Sequence, residues 1–93
     1  MAQTQQVRGV ATTVRTVFAM THVQYHDTIV VSFDQEHIRL DSGGWLTNTT
    51  KTRMNQASNQ FGLGYTVYQK DYQWFVEFDN KTIPFKDGMV LSR

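Results

Sequence analysis

The sequence contains no cysteine. That removes disulfides, thiol nucleophiles and thiolate metal ligands, and it fits a reducing compartment. No apolar run approaches the roughly 20 residues of a membrane span, and the N-terminus lacks the apolar stretch of a signal peptide. We therefore expect no membrane association and a cytoplasmic location. Acidic residues are missing from two stretches. None precedes Asp27, so the first 26 residues carry only Arg8 and Arg15, and residues 42–70 carry only Lys51, Arg53 and Lys70. Such local positive potential attracts anions even at a net charge of +1.

Catalytic patterns are also scarce. Ser42-Gly43-Gly44 lacks the Gly-x-Ser-x-Gly frame of a nucleophile elbow. The Walker A order and the dinucleotide-binding glycine pattern are both missing. His22 and His26 are four apart, the zinc spacing of a helix. On an extended strand that spacing separates them by roughly 13 Å, too far for one metal. With no assembled nucleophile, base or metal set, we expect no enzyme, no catalytic residues, no metal and no cofactor.

A chain of 93 residues makes one domain. Its core is small, so pairing with a second copy, as a homo-oligomer and most simply a dimer, would add stability. Residues 1–11 are polar and without apolar periodicity, and we read them as a flexible N-terminal arm. Residues 12–93 form the domain. Residues 12–24 are rich in Thr, Val and Phe and read as one strand, with Phe18 and Met20 on one face. Ile29, Val31 and Phe33 alternate inward on a second strand, and Ile38 and Leu40 mark a third.

Leu46, Thr50, Met54, Ala57 and Phe61 then recur at helical spacing. Thr47 or Asn48 can cap that helix, and Gly62 can end it. Its many threonines and asparagines make it a poor helix by propensity, so packing or a ligand must support it. Strands return at residues 65–69 and around Trp74, Val76 and Phe78. Ile83 and Phe85 form a strand that Pro84 marks as an edge. Met89 to Leu91 can close the sheet. The expected fold is α+β: a curved antiparallel sheet of about six strands, order βββαβββ, with one helix packed on it.

Residues 42–53 carry the candidate site. A glycine-containing loop entering a helix is the general geometry for an anion, because free N–H groups and the helix dipole both favour negative charge. Gly43, Gly44, Thr47, Thr49 and Thr50 would offer backbone and hydroxyl donors, Lys51 and Arg53 charge, and Trp45 a stacking surface. Lys51 and Arg53 diverge by roughly 200° around a helix, so they do not flank one point ligand. Asn55, Gln56, Asn59 and Gln60 give the helix an amide-rich surface suited to base edges. Tyr65, Tyr68, Tyr72 and Trp45 are hard to bury together in a small domain, so some of them should face a partner or bases. The blander reading of residues 42–53 is a sheet-to-helix turn whose threonines are only caps and surface.

The run Gly43-Gly44-Trp45, then Thr49-Thr50-Lys51, then Arg53 to Gln56, ending in Trp74-Phe75-Val76, resembles a family of small uncharacterised tailed-bacteriophage proteins. The resemblance covers roughly the central and C-terminal two-thirds of the chain. It implies a phage product acting inside an infected bacterium, and it implies no activity. The leading expectation is a phage accessory protein that binds a phosphate-bearing ligand, meaning nucleic acid or a nucleotide. A second is an inhibitor or adaptor of a host protein, defence proteins included. A third is a minor virion or assembly component.

Overall fold

The computed structural model describes residues 11–93. The arm expected at residues 1–11 falls outside it except for Ala11, whose carbonyl accepts a hydrogen bond from the His26 N–H. The class is α+β, with one helix and eight strands among the described residues: β1 (Thr12–Val17), β2 (Met20–Tyr25), β3 (Thr28–Phe33), β4 (His37–Leu40), α1 (Asn48–Phe61), β5 (Tyr65–Lys70), β6 (Gln73–Phe78), β7 (Lys81–Pro84) and β8 (Met89–Ser92). They form two antiparallel sheets, β1-β2-β3-β4-β8 and β5-β6-β7.

This departs from the single six-stranded sheet in two ways. Residues 12–24 are not one strand but a hairpin. Val17 pairs with Met20 and the chain reverses at Phe18-Ala19. Phe18 adopts φ 56° there and is fully exposed rather than on a packed face. Neither residue is a usual turn former, so the sequence carries no local sign of the reversal. The second departure is that β8 leaves the C-terminal strands and pairs with β4, Leu40 opposite Met89. That long-range pairing separates the sheets.

Elsewhere the local signals hold. Val31, Phe33, Ile38, Leu40, Trp74 and Val76 are buried. Val30 is buried as well, because the register shifts between Val23 and Gln24 and leaves it as the extra residue of a bulge. The Thr47 hydroxyl caps α1 by accepting from the Thr50 N–H, and Gly62 ends it in the left-handed conformation at φ 63°. Thr50, Met54 and Ala57 have no solvent exposure. Leu46, expected on the same face, precedes the helix and is 59% exposed.

α1 packs against β2 and β3 of the larger sheet and against β5 of the smaller. Apolar contact carries the first junction, through Met54, Ala57 and Phe61, whose ring meets Phe33. Hydrogen bonds carry much of the second. Asn55 donates to the Val67 carbonyl at 2.9 Å and accepts from the Val67 N–H at 2.8 Å. Ser58 does the same for Tyr65, and the Tyr65 hydroxyl donates to the Met54 carbonyl. An amide and a hydroxyl of the helix thus stand where a neighbouring strand would be. Tyr65 is buried in the core, while Tyr72 and Trp45 stay exposed, in line with the expectation that these aromatics are not all buried together. The Tyr65 phenol stays neutral because burial raises its pKa far above the usual range.

Candidate functional site

The loop between β4 and α1 is held by its own hydrogen bonds. Ser42 is buried, and both its N–H and its hydroxyl donate to Asp87 Oδ1, at 2.8 and 2.7 Å. The Gly43 N–H donates to Asp41 Oδ1 and the Gly44 N–H to Ser42 Oγ. The Trp45 N–H reaches the Ser42 carbonyl and the Thr47 N–H the Trp45 carbonyl. Gly43 is at φ 62°, and a Cβ there would fall 2.7 Å from Thr28 Cγ2. Only glycine allows the loop to close so tightly on β3. The N–H groups of Ser42, Gly43, Gly44, Trp45 and Thr47 are therefore spent on the loop itself. Trp45 is 66% exposed.

Two clefts flank this loop. The first, of about 420 Å³, is lined by Tyr25, His26, Asp27, Thr28, Ser42, Trp45 and Thr47. The second, of about 500 Å³, is lined by Leu46, Gln69, Tyr72, Gln73, Trp74, Phe75, Pro84 and Phe85. Both volumes suit a small organic ligand. The two cations part between them. Lys51 Nζ donates to Gln69 Oε1 at 3.3 Å and sits 5.4 Å from the Trp74 ring centroid, on the side of the second cleft. Arg53 donates to Thr12 Oγ1 at 2.8 Å and to Gln56, and lies 5.8 Å from the Tyr25 ring, beside the first. The divergence expected from helical spacing is present.

Of the residues singled out in the sequence, the fold brings Trp45 and Thr47 to the first cleft, with Arg53 beside Tyr25 and outside the lining. Thr50 is buried, and its hydroxyl pairs with that of Thr47 at 3.1 Å. Thr49 is half-buried on the first turn of α1. The amide-rich helix surface is partly internal. Gln56 is buried and Asn55 is engaged with β5, which leaves Asn59 and Gln60 exposed. Tyr25, Asp27 and Thr28 were not anticipated as site residues. They sit at the β2–β3 turn, distant in sequence, and no local motif marks them. Among the described residues no cluster of three or more histidine, cysteine, aspartate or glutamate side chains could hold a metal. None of the described helices is long and apolar enough to cross a membrane.

Among known protein families, the model of the Kyanoviridae Gp96 protein matches residues 1–92, so the chain belongs to that phage-protein family. No curated protein matches significantly, and no solved structure does.

Proposed function

We propose that this phage-family chain is a non-enzymatic accessory protein that binds a nucleotide or single-stranded nucleic acid at the first cleft, inside the infected bacterium. The observation that carries the reading is an exposed tryptophan, Trp45, lining the same 420 Å³ cleft as Tyr25. Aromatic faces at the mouth of a cleft accept any base by stacking. Asp27, Thr28 and Thr47 bring acceptors and hydroxyls to the base or sugar. Arg53, 5.8 Å from the Tyr25 ring, supplies the charge that attracts phosphate. The loop glycines contribute by shaping the cleft rather than by donating to the ligand. Lys51 serves the opposite side of the loop.

The test begins with native mass spectrometry of the protein purified from bacterial cells, before and after nuclease. It continues with titration of labelled oligothymidylate and nucleoside triphosphates at two salt concentrations. Trp45→Ala removes one stacking surface and is expected to weaken binding about tenfold or more. Arg53→Ala weakens binding and flattens its salt dependence, whereas Lys51→Ala changes it little. A clean unliganded mass together with no binding in titration, or unchanged affinity in Trp45→Ala, sinks the reading. The second reading, an adaptor for a host protein, rests on Tyr72, which is 96% exposed at the β5–β6 turn. A nuclease-resistant host partner that Tyr72→Ala releases would establish it.

A further inference from the structure

The core-facing side of the five-stranded sheet carries one apolar side chain per strand in a single row. Met89, Leu40, Val31, Val23 and Val14 stand opposite one another in register. Leu40, Val31 and Val23 are fully buried, whereas Val14, the last of the row, is 39% exposed. The row runs off the sheet at β1.

The phase of the hydrogen-bond ladder at that edge is fixed by the His26 N–H donating to the Ala11 carbonyl. Alternate residues of an antiparallel strand bond the same neighbour. Thr13, Arg15 and Val17 therefore bond β2, while Val14 and Thr16 turn their N–H and C=O groups outward. Among the described residues no strand pairs with that edge. The other edges are guarded. Asn55 and Ser58 close β5, β7 is four residues long and holds Lys81 and Pro84, and β8 is four residues long. β1 has six residues and none of the usual edge-blocking proline, lysine or acid.

We propose that β1 pairs antiparallel with β1 of a second copy about a two-fold axis through Val14, which joins the two five-stranded sheets into one. Three features meet at that residue. Val14 turns its backbone outward, so an axis there makes a hydrogen-bonded pair. The apolar row continues from Val23 and Val14 into the partner's Val14 and the partner's Val23. Arg15, the single charge of β1, faces the partner's Thr13. An axis through Arg15 would instead oppose two guanidinium groups, which destabilises a strand pair. A two-fold interface must be self-complementary, and this register satisfies that requirement. One strand pair buries less than the roughly 1,200 Å² of a stable complex, so the dimer should dissociate in the micromolar range.

Sedimentation across a concentration series tests the proposal. The unmodified chain should pass from monomer to dimer, and Val14→Lys, which places two ammonium groups across the axis, should weaken the dimer about tenfold or more. A chain that stays monomeric at high micromolar concentration, or a Val14→Lys chain that dimerises unchanged, overturns it. The register has its own readout, because the chain has no native thiol. Thr13→Cys and Arg15→Cys chains, mixed and oxidised, should give mainly the mixed 13–15 disulfide. Those positions form a close, non-hydrogen-bonded pair that suits the bond. Disulfides joining like chains in equal yield would exclude the axis at Val14, and this readout stands even if Val14→Lys fails to fold.

Discussion

β5 and β1 each end a sheet, and they end it in opposite ways. β5 turns the N–H and C=O groups of Tyr65 and Val67 toward α1, where Ser58 and Asn55 complete them. β1 has no such cover among the described residues, and five of its six residues are exposed. The same helix reaches both, but Asn55 and Ser58 complete backbone groups of β5, whereas Arg53 bonds the Thr12 side chain of β1. An edge is closed here by a few side chains at the right pitch rather than by another strand. The surface left open is defined by where those side chains are missing.

The comparison breaks most sharply at Asn55. Asn55→Ala leaves a donor and an acceptor of Val67 unpaired in a partly buried setting, and should cost about 2–4 kcal/mol in urea unfolding. A loss below about 1 kcal/mol would mean that water replaces the amide and the edge is not closed by it. Tyr65→Phe removes one hydrogen bond from the same junction and should cost about 1 kcal/mol in the same measurement. At the open edge, Val14→Lys should change monomer stability by no more than about 0.5 kcal/mol, since the side chain reaches solvent.

The smallest effect lies at the β3–β4 turn. The Asp34 carboxylate accepts from the Glu36 and His37 N–H groups, which hold its pKa below the usual value, helped weakly by the charges of His37 and Arg93. A depressed carboxylate stabilises the fold above its unfolded pKa, and that contribution is lost as pH falls through the folded one. Thermal melts should therefore show a small loss below about pH 4, near the ordinary aspartate value. Asp34→Asn should flatten it, and an identical acid slope in that variant would assign the loss elsewhere.

The helix was legible because its signals are local: the spacing of Thr50, Met54, Ala57 and Phe61, a cap at Thr47 and a stop at Gly62. The Phe18-Ala19 turn was not, because neither residue announces a left-handed conformation. Alternation marked Met89 to Leu91 as a strand but said nothing about its neighbour, and β4 lies far back in the chain. The loop at residues 42–47 stood out by composition, yet composition cannot say where an N–H points. Aspartates at positions 41 and 87 and the hydroxyl of Ser42 take up those donors. The Tyr25 side of the cleft is a tertiary product, visible only once β2 and β3 are placed beside the loop.

The asparagine and serine on α1 also bear on folding order. Both residues lower intrinsic helicity, so an isolated α1 segment should be mostly unstructured. The groups that weaken it are those that hold Val67 and Tyr65. Helix and strand must then form together, as a short-range nucleus of closely spaced contacts. The β4–β8 pairing, which requires closure of a long loop, should follow as a later step. In this chain the helix and the edge of the smaller sheet depend on each other.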